Sequence, residues 1–176
     1  PPAESPEAAA WLSPEAVEEY GGKVKIVYTP VHGTGYMPVT KVLGHMGISV
    51  TVVPEQAKPD TEFSTVRVPN PEEADTLALG VKLADEIGSD VVIGTDPDAD
   101  RMGVAVRDGE GKFVLLNGNQ TGALMTEYIL RRRKESGTLP VNGAIVKTIV
   151  TTELARKIAA GYGVATFDVL TGFKYI

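Results

Sequence analysis

The stretch Gly94–Val106, GTDPDADRMGVAV, restricts the possible folds of this chain more than any other segment. The apolar run Val91–Ile93 precedes it, and apolar residues alternate from Met102 to Val106, so a loop joins two strands there. That loop carries three alternating carboxylates: Asp96, Asp98 and Asp100. The sequence therefore predicts an acidic loop at the end of a buried strand.

Three carboxylates this close repel one another, and burial increases the cost. A divalent cation removes the repulsion, and Mg²⁺ suits the site because it takes a few carboxylates and keeps other positions for water or phosphate. An acidic surface turn is the alternative, since Asp and Pro both favour turns. An EF-hand is excluded, because Arg101 and Arg107 stand where that loop needs a glycine and a carboxylate. Arg101 is either a counter-charge or a ligand for an anion that shares the metal.

A βαβ unit precedes the acidic loop. The predicted order is a strand at 24–28, a glycine turn at 32–35, a helix at 38–46 and a strand at 48–53. A helix with Asn70 as its N-cap and Gly88 after its end follows, and a hairpin closes the segment at 101–116. Ligands gather at the carboxyl ends of strands in open α/β sheets, so we expect the glycine turn and the acidic loop to lie near each other.

The glycine turn has two interpretations. Such a turn between a strand and a helix can hold a phosphate, or it can be a tight turn beside a hydrogen-bonded His32. It is not a dinucleotide fingerprint, because Pro38 stands where the third glycine should be, and no Gly-Lys-Ser/Thr follows as in a P-loop.

A second, smaller α/β unit is predicted from residue 117. A helix to about Glu135, a strand at 144–150, a helix capped by Thr151 and a strand at 164–169 follow one another. Another helix would be needed to cover this sheet, so residues 117–176 are expected to be a truncated domain. Residues 1–22, rich in Pro, Ala and Glu, are expected to be a connector from an upstream domain, which leaves 23–116 as the metal-binding domain.

Composition excludes several classes of partner. The net charge of −6 discourages nucleic-acid binding, and we assign the basic run Arg131–Lys134 to a solvated helix end. No apolar run approaches the length of a membrane span, and the chain has no cysteine, so we expect no membrane association, no disulfides and a cytoplasmic location.

Three motifs occur here in the order in which they occur in one enzyme family. They are Thr29–Gly35 (TPVHGTG), Thr95–Arg101 (TDPDADR) and Leu170–Ile176 (LTGFKYI). On these motifs the chain resembles the α-D-phosphohexomutases, the phosphoglucomutases and phosphomannomutases. Their metal loop usually reads D-G-D-x-D-R, so Pro97 replaces a glycine.

The resemblance implies the second domain and the start of the third domain of a four-domain enzyme. Such enzymes interconvert hexose 1-phosphate and hexose 6-phosphate through a phosphoserine and a hexose 1,6-bisphosphate. The phosphoserine loop, the phosphate loop of the fourth domain and the substrate-specifying loop of the third are not in this sequence. The other domains of the same full-length chain and the sugar phosphates are therefore the implied partners.

The resemblance also implies a role for nine residues. Asp96, Asp98 and Asp100 would hold Mg²⁺, Arg101 would stabilise the phosphoryl group, Lys147 would be the general acid or base, and His32 would be an active-site residue. Thr171, Gly172 and Lys174 would contact the sugar and its phosphate. The alternative function is a stand-alone Mg²⁺- or phosphate-binding module without catalysis.

Overall fold

Five strands form one mixed sheet in the order β2-β1-β3-β4-β5. Strands β1 (Lys25–Thr29), β2 (Ser49–Val52) and β3 (Val91–Thr95) are parallel, whereas β4 (Met102–Arg107) and β5 (Phe113–Leu116) add the antiparallel hairpin. The coordinates are a computed structural model that describes residues 17–19 and 21–175. The predicted α/β fold is confirmed: a mixed sheet flanked by helices, followed by a smaller parallel sheet.

Helices connect the parallel strands of the larger sheet. Helix α1 (Tyr36–His45) connects β1 to β2, and α2 (Ala74–Ile87) connects β2 to β3. The core lies between α2 and the sheet, where the buried residues are Val27, Val53, Leu77, Ala84, Val92 and Ala105. Helix α2 ends at Gly88, whose φ of 64° is the left-handed conformation of a C-terminal glycine.

The predicted caps of two helices are wrong by a few residues. Helix α2 begins after Glu73, and Asn70 instead accepts a hydrogen bond from the backbone N–H of Glu72 in a local turn. The N-cap of the helix Glu153–Gly161 is Thr152, whose hydroxyl accepts from Leu154 N–H, and not Thr151.

The second compact unit begins at Gly118. It contains α3 (Gly118–Glu135), β6 (Ala144–Thr148), α4 (Glu153–Gly161) and β7 (Ala165–Val169), and β6 and β7 pair in parallel. The core of this unit includes Leu130, Ala159 and Val164. No helix among the described residues is long and apolar enough to cross a membrane. The proposed boundaries at residues 22 and 116 remain predictions.

Close packing against Pro71 leaves no room for a side chain at Gly103 on β4. A Cβ built there would overlap the carbonyl oxygen of Pro71, whereas a Cβ at Gly109, in the β4–β5 turn, would meet nothing within 4 Å. Gly103 is therefore a packing requirement of the sheet, and Gly109 is not.

We expect Gly103→Ala to lower the free energy of unfolding by about 1–3 kcal/mol, the usual cost of overpacking. Gly109→Ala is the matched control and should be neutral or stabilising by up to about 1 kcal/mol, because it restricts the unfolded chain. Urea denaturation followed by far-UV circular dichroism compares them. Equal stabilities of the two variants would contradict the packing argument.

Candidate metal centre

The acidic loop and the glycine turn lie at the same place in the fold, the carboxyl ends of β3 and β1. These strands are neighbours in the sheet. The chain continues from β1 to β2, which pairs with β1 on the side opposite to β3. Such a reversal of strand order creates a crevice in which open α/β sheets bind ligands. The structure thus brings together the two loops that the sequence places after these strands.

The three aspartates converge although only one of them is buried. Carboxylate oxygens of Asp96, Asp98 and Asp100 all lie within 4.8 Å of one another. Asp96 is completely buried, whereas Asp98 and Asp100 are exposed. Ala99, between the two exposed carboxylates, has a φ of 61°, an uncommon conformation for a residue other than glycine. The backbone thus turns sharply enough to direct alternate side chains toward one point.

Arg101 fixes the orientation of the buried carboxylate. Its backbone N–H donates to Asp96 Oδ1 at 2.9 Å, and its Nε donates to Asp96 Oδ2 at 2.8 Å. The Nε also lies 3.7 Å from Asp100 Oδ1, while the side chain as a whole is 59% exposed. Arg101 therefore holds the loop through Nε and still presents its guanidinium to solvent.

The pKa values of the loop show both attraction and repulsion. Burial would raise the pKa of Asp96, but hydrogen bonds from the backbone and guanidinium of Arg101 and from Asp98 lower it overall. The negative charge of Asp98, then burial and the charge of Asp96, raise the pKa of Asp100. The loop thus favours the ionised form of Asp96 and makes the ionised form of Asp100 less favourable than that of a free aspartate.

This donor set fits Mg²⁺. The ion binds oxygen at about 2.1 Å in octahedral geometry, so neighbouring ligand oxygens lie about 3 Å apart. The oxygens here are within 4.8 Å of one another, and the two exposed side chains can rotate to close the difference. One fixed and two adjustable carboxylates leave the remaining positions for water or phosphate.

The glycine turn is tied directly to the acidic loop. Thr34 donates to the carbonyl oxygen of Pro97 from its backbone N–H at 2.8 Å and from its hydroxyl at 3.1 Å. A Cβ at Gly33 would overlap the Pro97 backbone, and a Cβ at Gly35 would overlap the Tyr28 and Thr95 hydroxyls. Both glycines are thus required by close approach, and Thr34 is a contact that the sequence analysis did not identify.

The ring of His32 is hydrogen-bonded to the 58–65 segment. Its Nδ1 lies 2.8 Å from the carbonyl oxygen of Lys58, and its Nε2 lies 2.7 Å from the hydroxyl of Thr65. The ring is almost fully buried, and its backbone has a φ of 63°. Both ring nitrogens are therefore occupied by the 58–65 segment, and a catalytic role for His32 stays a prediction.

Lys147 lies between two carboxylates in the second unit. Its Nζ is 2.8 Å from Glu153, 2.9 Å from Asp168 and 3.1 Å from the carbonyl oxygen of Thr151, and its side chain is 4% exposed. Hydrogen bonds to Glu153 and then to Asp168 raise its pKa above the usual value. Arg156 forms ion pairs with the same two carboxylates, but the pKa of Lys147 is still raised overall, so its acid–base role stays a prediction.

Thr171, Gly172 and Lys174 follow β7 in the second unit, at the sheet edge to which Lys147 on β6 also belongs. Gly172 has a φ of 130°, and one turn of 3₁₀-helix begins after it. Lys174 Nζ lies 5.0 Å from the centre of the Tyr175 ring. Their role in binding a sugar phosphate is likewise a prediction.

Models of two protein domains match the chain almost end to end. Residues 9–111 match the phosphoglucomutase/phosphomannomutase alpha/beta/alpha domain II, and residues 117–176 match domain III of the same proteins.

Individual relatives agree with these matches. A phosphoglucomutase from Staphylococcus epidermidis is 41% identical over 154 residues, which cover 87% of this chain and 28% of the relative. A phosphoglucomutase/phosphomannomutase family protein from Burkholderia thailandensis superposes with a TM-score of 0.67 at 18% identity, over 90% of this chain and 33% of that one. The N-acetylphosphoglucosamine mutase of Aspergillus fumigatus, solved with GlcNAc-6P and magnesium, superposes with a TM-score of 0.59 at 20% identity, over 96% and 34%.

We predict that the 176-residue chain binds Mg²⁺ weakly and that Asp98→Asn abolishes the binding, because it removes one of three converging carboxylates. Isothermal titration calorimetry measures the affinity. Affinity should also fall as the pH is lowered, and it should do so at a higher pH than for a free aspartate, since protons compete for Asp100, whose pKa is raised.

The matched control is Asp75→Asn, which removes the same charge from an exposed position in the first turn of α2. Its binding should equal that of the parent chain. Unchanged binding in Asp98→Asn would refute the assignment of the three aspartates.

Proposed function

Because this chain belongs to the phosphoglucomutase/phosphomannomutase family, we propose that it is the metal-binding part of a phosphohexomutase. The chain spans 28% of the length of the Staphylococcus relative, so the activity is that of a longer protein. The proposed reaction moves a phosphoryl group between the 1- and 6-positions of a hexose phosphate through a phosphoserine and a hexose 1,6-bisphosphate.

The observation that carries this proposal is the acidic loop at the β1–β3 crevice. Phosphoryl transfer depends on positioning and on neutralising the charge of the moving group. Asp96, Asp98 and Asp100 converge as a divalent-cation site, and Arg101 lies beside them with an exposed guanidinium. A bound Mg²⁺ would supply positive charge to the phosphoryl oxygens. Magnesium is present in the structure of the Aspergillus mutase.

Arg101 would act on the same oxygens. Its Nε donates a hydrogen bond to Asp96, and this bond fixes the plane of the guanidinium. The Arg101 side chain is still 59% exposed. A planar guanidinium binds phosphate oxygens in pairs, which a lysine ammonium cannot do. Arg101 would therefore orient the phosphoryl group and offset its charge.

Lys147 would serve the sugar. Because its two carboxylate partners raise its pKa, it is an ammonium at neutral pH, able to donate a hydrogen bond or a proton but not to accept one. We therefore propose that Lys147 acts as a general acid. Thr171, Gly172 and Lys174 would contact the sugar and its phosphate, and His32 would support the active-site loop.

A module that binds Mg²⁺ or phosphate without catalysis is the alternative. The two functions differ in whether a phosphoserine loop of the Ser-His-Asn-Pro type lies in the same reading frame. Glucose, mannose and glucosamine phosphates are all compatible with the present chain, because the substrate-specifying loop is not in it. A cytoplasmic location is part of the proposal.

In the full-length enzyme, Arg101→Lys should lower kcat by about 100-fold, the usual effect of losing one preorganised donor, with little change in the melting temperature. The lysine keeps the charge and the backbone N–H bond to Asp96 but loses the paired geometry. Steady-state kinetics and thermal melts measure the two effects.

Arg107→Lys is the matched control. Arg107 donates to backbone carbonyls of Ala84, Ser89 and Gly111 and to the carboxylate of Asp85, none of which belongs to the acidic loop. This control should lose stability and keep its turnover. The reverse pattern, with Arg101→Lys unstable and fully active, would show that Arg101 serves the fold.

We also predict that residues 1–176 alone have no mutase activity. Positioning can contribute about 7–11 kcal/mol to a reaction, and this chain has neither a phosphoserine donor nor a complete sugar site. A coupled assay with glucose 1-phosphate, Mg²⁺ and glucose 1,6-bisphosphate tests it. Turnover by the purified chain that Asp98→Asn abolishes would mean that the catalytic parts are present here.

A further inference from the structure

A chain of hydrogen-bonded polar side chains, three buried and one half-buried, starts from the glycine turn. Thr29 Oγ1 is 2.7 Å from Gln56 Oε1, Gln56 Nε2 is 3.2 Å from Thr65 Oγ1, and Thr65 Oγ1 is 2.7 Å from His32 Nε2. Thr29 and Gln56 are completely buried. The four residues come from two segments, 29–32 and 56–65, so the chain of hydrogen bonds joins the end of β1 to the 56–65 region.

The group at one end of this chain of hydrogen bonds can only accept, and this determines which atom donates in each of the other bonds. The carbonyl oxygen of Lys58 can only accept, so the proton of the His32 ring is on Nδ1, 2.8 Å away. In the neutral ring Nε2 then accepts, and the hydroxyl that donates to it is that of Thr65.

The remaining bonds are consistent with this direction. Because the Thr65 hydroxyl donates to His32, its oxygen is left to accept from Gln56 Nε2. Gln56 Oε1 in turn accepts from the Thr29 hydroxyl. The backbone N–H of Val31 completes the chain by donating to Thr29 Oγ1 at 3.1 Å. Every donor has an acceptor, so one tautomer of His32 satisfies the whole relay.

The relay maintains a strained backbone. Val31 and His32 have φ values of 46° and 63°, and a positive φ is rare for a β-branched residue such as valine. The backbone N–H of His32 also donates to the carbonyl oxygen of Gln56 at 2.9 Å. Gln56 thus binds His32 through the backbone and through Thr65, and these bonds offset the cost of the two unusual conformations.

This strained pair determines where the next residues lie. Gly33 packs against Pro97, and Thr34 donates twice to the Pro97 carbonyl oxygen, between the ligands Asp96 and Asp98. A displacement of His32 would therefore move Thr34 and release the acidic loop. Substitution of a residue that orients a metal ligand without touching the metal often lowers the metal affinity by about 10–100-fold.

We propose that His32 is a positioning residue, neutral with its proton on Nδ1, and that the relay Thr29–Gln56–Thr65 sets the metal affinity of the acidic loop. The second half rests on the proposed Mg²⁺ site, whereas the first half concerns the protein alone. Thr29, Gln56 and Thr65 are thereby assigned a role that is neither catalytic nor merely part of the core.

Imidazole ¹⁵N–¹H correlation spectra of the metal-free chain test the first half. The chain has two histidines, and His45 is exposed, so His45→Asn identifies the His32 signals. We expect His32 at neutral pH to be a single tautomer protonated on Nδ1. A ring protonated on Nε2, or one that averages both tautomers, would overturn the relay.

Titration with Mn²⁺ followed by electron paramagnetic resonance tests the second half. Thr65→Val removes the hydroxyl and should weaken binding about tenfold, and Thr65→Ser, which keeps it, should restore binding. Thr61→Val is the matched control, since Thr61 is exposed in the same segment and no side-chain hydrogen bond is described for it.

Parent-like affinity in folded Thr65→Val would overturn the link to the metal loop. Loss of binding in Thr65→Ser as well would also overturn it, because the hydroxyl would then not be the cause. If Asp98→Asn binds Mn²⁺ as the parent does, the proposed metal site fails and the affinity half of the inference fails with it. The tautomer of His32 still decides the relay in that case.

Discussion

Parallel pairing of β1 with β3 is the constraint on which the metal centre depends. The register runs from Ile26 opposite Val91 to Thr29 opposite Gly94, and both strands are covered by α2 at Val27 and Val92. A shift of one residue would displace the acidic loop by about 3.3 Å along the glycine turn. That distance exceeds the tolerance of a hydrogen bond, so the contact between Thr34 and Pro97 exists only in this register.

In that register, the acidic loop limits the repulsion among its three carboxylates by burying only one of them. Asp96 is buried and would be costly as an ion, but Arg101 gives it two hydrogen bonds and keeps its pKa low. Asp98 and Asp100 remain in solvent, where their mutual repulsion is smaller. The result is a candidate cation site with one buried, hydrogen-bonded carboxylate and two exposed carboxylates.

The sequence predicted most of the fold because its signals are local. Alternating aspartates after an apolar run and glycines after a strand identified both loops, and the rule for strand ends predicted that they meet. It did not predict the relay, because Thr29, Gln56 and Thr65 are ordinary polar residues whose pairing depends on the tertiary path of residues 53–65. The predicted helix starts at Asn70 and Thr151 were wrong because Asn70 caps a local turn before the helix and because Thr152, one residue later than expected, is the N-cap of the other helix.

Lys147 shows most clearly why residue type alone does not define a chemical role. A buried lysine can become a base when burial or nearby cations lower its pKa, but here Glu153 and Asp168 outweigh burial and raise it. A phosphate dianion arriving nearby would raise it further. A sugar hydroxyl that attacks a phosphoryl group must lose its proton, and an ammonium group cannot take it. Under the proposed function, Lys147 would therefore neutralise the phosphate or protonate a leaving oxygen, and another group would act as the base.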